Sequence, residues 1–143
     1  MNKPSAKINR TQWIVRVVFA MVFLLNLQCA LQFIIVPQDF IAAYELDGPS
    51  GKIALQGLGI AFLMWNATYP FYLANPAKFS VVGIIILVQQ TIGLIGESAL
   101  LVMLPAGHAL LSASILRFIC FDGIGLIAMG VAFAYLTRKL AAS

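Results

Sequence analysis

Three ionisable side chains stand within long apolar segments of this 143-residue chain and are the groups best suited to chemistry there: Glu97, Arg117 and Asp122. A charge near the centre of a membrane-spanning helix costs about 2.5 to 3.5 kcal/mol on insertion scales, so these groups should face a protein interior and find partners. Glu97 and Arg117 lie at matching depths, about 10 and 12 Å below the outer ends of their segments at a rise of about 1.5 Å per residue. We therefore predict an ion pair between them, which the planar fork of arginine suits.

Amide side chains on the same segments lie at depths similar to those of the three charges. The candidate polar cluster, for ligand binding or for burial, consists of Gln28, Gln32, Gln56, Asn66, Gln90, Glu97, Arg117 and Asp122. Asp122 follows Arg117 by five residues, which places the two side chains on different faces of a helix. Its partner is expected among Asn66, Gln89 and Gln90, unless Asp122 stays protonated because burial penalises its charged form.

Two interpretations of this cluster stay open. Buried amides and ion pairs hold membrane helices together without any substrate. The same groups would suit a polar pocket for a quinone or another amphiphile, or a proton-linked path. Charged groups favour the functional interpretation because they cost more to bury than amides do.

Metal and thiol chemistry lack their usual ligands in this chain. With two cysteines and one histidine, a thiolate zinc site, a bis-histidine haem and a CxxC redox pair are all incomplete. We assign no metal and no covalent cofactor, and we expect no catalytic activity of the chain on its own. Cys29 and Cys120 are predicted to be buried free thiols. His108 is predicted to be an ordinary residue of an outer loop, with sensing of external pH as the alternative.

The composition predicts a membrane protein. Hydrophobic residues make up 62% of the chain, charged residues make up 10%, and the mean hydropathy is +0.96. A soluble domain of this size could not bury so much apolar surface. Nine basic residues exceed five acidic ones, but they alternate with long apolar runs. The expected partner is therefore the lipid bilayer and not a nucleic acid.

Four apolar runs approach the roughly 20 residues that cross a bilayer. The predicted spans are 13–36, 53–73, 81–104 and 109–136. Pro70 should kink the second span, and Ser80 is expected to cap the third. The runs are continuously apolar instead of alternating, so strands of an outer-membrane barrel are disfavoured. The sequence predicts an all-α fold, in which residues 1–143 form a single polytopic membrane four-helix bundle.

The basic residues also predict an orientation in the membrane. Seven lie on the side that holds both termini, namely Lys3, Lys7, Arg10, Arg16, Lys78, Arg138 and Lys139, whereas Lys52 lies opposite. Basic residues are retained in the cytoplasm, so both termini should be cytoplasmic in a multi-pass protein of the plasma membrane. The aromatic residues expected at the cytoplasmic interface are Trp13, Tyr69, Tyr72 and Tyr135.

The first outer loop carries an amphipathic pattern. Phe40, Ile41 and Tyr44 share one helical face, which predicts a short interfacial helix. We favour an anchor that ties the loop to the bilayer over the alternative, a lid above a pocket.

Three segments carry a resemblance to a known family: Leu-Gln-Gly-Leu-Gly at 55–59, Phe-Leu-Met-Trp-Asn at 62–66 and Gly-Leu-Ile-Gly-Glu at 93–97. With the predicted topology, they resemble the DoxX-like group of small four-helix membrane proteins. The resemblance implies a bundle that some relatives use as a membrane subunit of quinone-linked oxidoreductases, and it transfers no catalytic residue. The chain is unlike the vitamin K epoxide reductase group, whose CxxC pair it lacks, and unlike small multidrug transporters, whose carboxylate lies in the first helix.

The leading hypothesis is a non-catalytic membrane subunit or accessory protein, in a membrane complex or a homo-oligomer. Its internal polar pocket would bind a quinone or another lipid-like ligand. The alternative is a small proton-coupled transporter in which Glu97 or Asp122 exchanges the proton.

Overall fold

The computed structural model describes the backbone of residues 6–142 and the side chains of residues 10–142. Lys3 and the side chain of Lys7, on which the predicted orientation partly rests, lie outside the described residues. Every regular element in the described range is a helix, so the prediction of an all-α fold is confirmed. The elements are α1 (Ala6–Ile35), the 3₁₀ helices Pro37–Asp39 and Ile41–Tyr44, α2 (Gly48–Asn66), α3 (Tyr69–Ala74), α4 (Ser80–Met103) and α5 (Ala109–Ala141).

Within the described part of the chain, three helices are long and apolar enough to cross a membrane. They are Arg10–Ile35 of α1, the whole of α4 and the whole of α5. Many of their large apolar side chains face outward, and Val102 of α4 is 86% exposed. Such a surface fits hydrocarbon and not water. α2 is less apolar because its first turns contain Lys52 beside glycine, proline and serine.

The predicted second span is interrupted where the sequence predicted only a kink. α2 ends at Asn66, and α3 begins at Tyr69 with Pro70 in its first turn. Pro70 has no N–H to donate to the Asn66 carbonyl four residues earlier, so the helix stops there and restarts where proline is tolerated. In the gap, the Thr68 hydroxyl donates to the Trp65 carbonyl at 3.1 Å.

The helices pack closely in one half of the molecule, the half nearest both chain termini. This packed half consists of Val15, Phe19, Val22, Tyr69, Tyr72, Ile86, Met129, Ala132 and Leu136, from α1, α3, α4 and α5. The ring centroids of Phe19 and Tyr72 lie 4.5 Å apart. At Gly83 of α4 a β-carbon would lie 2.6 Å from the Tyr72 ring. The close approach of α3 and α4 therefore requires glycine at this position.

Two expectations about the end of the molecule that was predicted to be cytoplasmic are wrong. Tyr69 and Tyr72 are 0% exposed and belong to the core instead of an interfacial belt, because α3 directs both rings against Phe19. Ser80 is the first helical residue and not the cap, which is Phe79. A turn closed by the Phe79 amide and the Asn75 carbonyl at 3.0 Å already sets the helical direction before Ser80.

Candidate functional site

A small polar cavity lies beyond the packed half, and we call it the inner cavity. Its volume is about 20 Å³, enough for about one water-sized group. It is lined by Asn26, Phe62, Trp65, Asn66, Gln90, Glu97, Phe118 and Asp122. α1, α2, α4 and α5 all contribute, so the cavity lies among the main helices.

A buried hydrogen bond crosses one wall of the inner cavity. Gln90 of α4 donates through Nε2 to Oδ1 of Asp122 on α5, at 2.7 Å, and both side chains are buried. Of the three amides considered as partners for Asp122, Gln90 is the one that bonds to it. Gln89 instead accepts from the Thr68 hydroxyl at 3.3 Å, and Asn66 donates within its own helix. The bond links α4 to α5 at the level of the cavity.

Two oxygen atoms at the inner cavity are buried without a hydrogen-bond partner among the described residues. They are Oδ1 of Asn66 and Oε2 of Glu97. A buried polar atom without a partner costs about 1 to 3 kcal/mol. A hydrogen-bond donor that entered the cavity would lower this cost, so the inner cavity is suited to a polar group of a ligand.

Gly93 brings α4 close to the other walls of the inner cavity. A β-carbon at this position would lie 2.9 Å from Oδ2 of Asp122 and 3.0 Å from the Trp65 ring. Glycine therefore allows the carboxyl group and the indole to approach the helix backbone, which is the use that membrane helices make of small residues.

A larger cavity, the outer cavity, adjoins the inner one and shares Asn26 and Phe118 with it. Its volume is about 280 Å³. It is lined by Leu25, Asn26, Gln28, Cys29, Gln32, Phe33, Phe40, Tyr44, Arg117, Phe118 and Phe121. The lining combines aromatic rings with amides and one guanidinium, a combination typical of small-molecule sites.

Aromatic rings centred on Phe33 form the apolar wall of the outer cavity. The Phe33 centroid lies 5.4 Å from Phe40, 5.6 Å from Tyr44 and 6.3 Å from Phe118. Edge-to-face contacts of this kind contribute about 0.5 to 1.5 kcal/mol beyond area burial. The wall is therefore held in shape by its own packing.

The predicted ion pair between Glu97 and Arg117 is not formed among the described residues. Glu97 lines the inner cavity, whereas Arg117 lines the outer one. The Arg117 guanidinium donates to the Ser114 hydroxyl at 3.1 Å. Matching depth does not fix the direction in which a side chain leaves its helix. Asp122 is buried and Glu97 partly buried, as expected, but the expectation that Arg117 faces a closed interior is wrong, because Arg117 is exposed.

The first outer loop covers the outer cavity and is fastened to α5. Instead of one interfacial helix it forms two short 3₁₀ turns, whose Phe40 and Tyr44 side chains line the cavity. The Ser114 hydroxyl donates to the Ala43 carbonyl at 2.6 Å. This arrangement corresponds to the lid alternative more closely than to the bilayer anchor.

Glu45 fixes the end of this loop. Oε2 of Glu45 lies 2.5 Å from Nδ1 of His108, and Oε1 accepts a hydrogen bond from the Leu111 amide at 3.2 Å. Two hydrogen bonds hold the pKa of the Glu45 carboxyl below its ordinary value. The bond from His108 has the larger effect, and the bond from the Leu111 amide has the smaller one. His108, predicted as an ordinary loop residue, thus pairs with an acid from the other outer loop.

The predicted cluster divides into three parts. Asn66, Gln90, Glu97 and Asp122 line the inner cavity, Gln28, Gln32 and Arg117 line the outer cavity, and Gln56 lines neither. Gln56 donates to the Ile34 carbonyl at 3.0 Å and ties α2 to α1. Sequence reasoning missed the aromatic wall of Phe33, Phe118 and Phe121. The shared face of Phe40 and Tyr44 was a signal that pointed toward it.

Metal-ligating groups do not cluster in this region. Among the described residues, no three His, Cys, Asp or Glu side chains are placed to hold a metal ion. Both cysteines are free thiols, and Cys29 lies half-buried in the outer cavity wall. The prediction that both are buried is wrong for Cys120, which is exposed because it leaves α5 on a different face from Asp122.

Comparison with known proteins gives no relative for this chain. Neither a protein-family model, nor a curated protein, nor a solved structure matches it.

Proposed function

We propose that this chain is a non-catalytic integral membrane protein that binds a lipid-like ligand, with a quinone as the candidate, in the outer cavity. The single observation that carries the proposal is the composition of that cavity. A space of about 280 Å³ is lined both by aromatic rings and by the polar groups of Gln28, Gln32 and Arg117. An amphiphile offers an apolar body to the first and a polar head to the second.

The proposed membrane arrangement is a four-helix bundle with both termini in the cytoplasm of a plasma-membrane protein. α2 and α3 would together form the fourth crossing, since α2 alone is about 28 Å long at a rise of about 1.5 Å per residue. Arg16, Lys78, Arg138 and Lys139 would lie at the cytoplasmic end. The bundle would be DoxX-like, as the segments at 55–59, 62–66 and 93–97 suggest, and would serve a membrane complex or a homo-oligomer.

Quinone binding is testable with the chain's own fluorescence. The chain has two tryptophans, and Trp13→Phe leaves Trp65, which lines the inner cavity, as the reporter. In phosphatidylcholine nanodiscs, decylubiquinone should quench Trp65 with a saturable component. Cys29→Phe, which fills part of the outer cavity, should remove that component.

The matched control is Cys120→Phe, the same substitution at a thiol on the outer surface of α5. It should leave the saturable quenching unchanged. Equal quenching in Cys29→Phe and Cys120→Phe would contradict binding in the outer cavity.

A second candidate function is a proton-coupled transporter, and one observation favours it. Glu97 and Asp122 both line the inner cavity, and Oε2 of Glu97 has no hydrogen-bond partner. A carboxyl group beside a cavity that adjoins a binding space is suited to exchange a proton with a substrate. Proteoliposomes under a pH gradient should then show solute-dependent proton flux that Glu97→Gln abolishes, and absence of such flux excludes this role.

A further inference from the structure

Arg117 is a cation in a membrane-spanning helix without a carboxylate partner among the described residues. It lies about 12 Å below the start of α5 at a rise of about 1.5 Å per residue. Its guanidinium donates to the Ser114 hydroxyl at 3.1 Å, which uses one of its five N–H donors. A charge at this depth is stabilised when it meets an opposite charge.

The side chains around Arg117 favour an anion. Gln28 and Gln32 add amide groups to the lining that contains Arg117, and the described lining contains no acidic residue. Tyr44 adds a hydroxyl, and burial raises its pKa, so the hydroxyl keeps its proton and donates. The carboxyl groups of Glu97 and Asp122 line the inner cavity instead.

The rest of the outer cavity favours one aliphatic chain. Leu25, Phe33, Phe118 and Phe121 contribute apolar side chains to the same lining as the polar groups. The volume of about 280 Å³ lies at the small end of ligand pockets, which span about 300 to 1,000 Å³. A lipid with two chains would exceed this space.

We infer that the ligand of the outer cavity is a single-chain amphiphile with an acid headgroup, of the fatty-acid class, whose carboxylate pairs with the Arg117 guanidinium. This inference rests on the proposed binding of a lipid-like ligand in the outer cavity, and it replaces the neutral quinone by an acid as the chemical class of that ligand. The planar fork of arginine would hold the carboxylate with two N–H donors, while the chain lies against the phenylalanines.

The test compares two probes that differ in the headgroup alone, palmitate and hexadecanol. The full chain in mild detergent receives an equimolar mixture at about pH 8, where the carboxylate is ionised, and native mass spectrometry counts the bound molecules. We expect at least about a tenfold preference for palmitate, the fold-change of one charge-assisted hydrogen bond. Equal binding of the two probes overturns the inference.

Variants of Arg117 assign the preference to that side chain. Arg117→Gln should bind palmitate and hexadecanol equally, and Arg117→Lys should keep part of the preference because it retains the charge without the fork. The control is Lys52→Gln, which removes one positive charge from the same end of the molecule, at an exposed residue outside the described cavity linings. It should leave the preference for palmitate over hexadecanol unchanged. A preference that survives in Arg117→Gln also overturns the inference.

Failure of this inference and failure of the proposed function give different results. If both probes bind equally and Cys29→Phe blocks both, the cavity binds amphiphiles but does not select acids. If neither probe binds, or if Cys29→Phe leaves both bound, the outer cavity is not the binding site. Should Arg117→Gln fail to fold, the wild-type preference and Arg117→Lys still decide the outcome.

Discussion

The packed half and the half that contains the two cavities are built from the same long helices, yet they differ in what fills the space between them. In the packed half, Phe19, Ile86 and Met129 are each 0% exposed and close the interior with apolar atoms. In the cavity half, amides, carboxyls and Arg117 line open space.

This contrast indicates which half maintains the fold and which half has another task. Close packing of apolar side chains is the arrangement that stabilises a protein interior. Cavities lower stability because their lining loses packing contacts, so their concentration in one half suggests a site for a ligand. The predictions below test this division of roles.

The largest expected effect is the loss of an aromatic ring from the packed half. Phe19→Ala should destabilise the protein by about 3 to 5 kcal/mol, because it leaves a cavity between Tyr69 and Tyr72. Phe118→Ala removes the same ring from a position that borders both cavities, so its cost should be clearly smaller. The free energies of unfolding of both variants are measured by SDS titration in mixed micelles. Equal losses of stability would contradict the difference in packing between the two halves.

The next effect comes from overfilling the packed half. Gly83→Ala would place a β-carbon 2.6 Å from the Tyr72 ring and 2.8 Å from the Phe133 ring, which should cost about 1 to 3 kcal/mol. Gly130→Ala, near the same half, meets no atom within 4 Å and should be neutral or stabilising. The same SDS titration measures both, and a Gly83→Ala variant as stable as Gly130→Ala would show that this half is loosely packed.

A smaller effect is expected from the hydrogen bond that crosses the inner cavity. A double-mutant cycle with Gln90→Leu and Asp122→Leu should give a coupling of about 0.6 to 1.7 kcal/mol, the range for hydrogen bonds between membrane helices. The control cycle pairs Gln90→Leu with Gln28→Leu, whose side chains share no hydrogen bond, and should be additive. A coupling energy of zero in the first cycle would contradict a stabilising hydrogen bond between Gln90 of α4 and Asp122 of α5.

The smallest effect is a pH dependence at the loop that covers the outer cavity. The folded protein holds the pKa of Glu45 below its ordinary value of 4.5. Its contribution to stability is therefore present above pH 4.5 and is lost as the pH falls through the lowered pKa. The thermal midpoint of the wild type should exceed that of Glu45→Gln at neutral pH, and the difference should shrink below pH 4.5.

Asp39→Asn supplies the control for this pH dependence, because it neutralises another exposed acid of the same loop. It should not reproduce the pH-dependent difference. A difference between wild type and Glu45→Gln that stays constant down to acidic pH would show that the ionised carboxylate does not fasten the loop.

Length and hydropathy predicted the long helices well, since the spans 81–104 and 109–136 begin within one residue of α4 and α5. Counting residues gives a depth along each helix, but Glu97, expected at the level of Arg117, lines the inner cavity with Asn66, Gln90 and Asp122. Rotation about the helix axis does not follow from counting, so the pairing of Glu97 with Arg117 was wrong. The inward turn of Tyr69 and Tyr72 depends on the break before Pro70 and on contacts with Phe19, and neither is visible in a local pattern.

The most direct test of the proposed site is the location of a bound single-chain amphiphile. Crystals grown in a lipidic cubic phase with a fatty acid that carries bromine at the end of its alkyl chain would reveal the bromine by anomalous scattering. The account predicts a bromine peak in or at the mouth of the outer cavity, beside Phe33 and Phe121, with Arg117 turned toward the ligand. A closed cavity without ligand density, with Arg117 paired to Glu97, would contradict it.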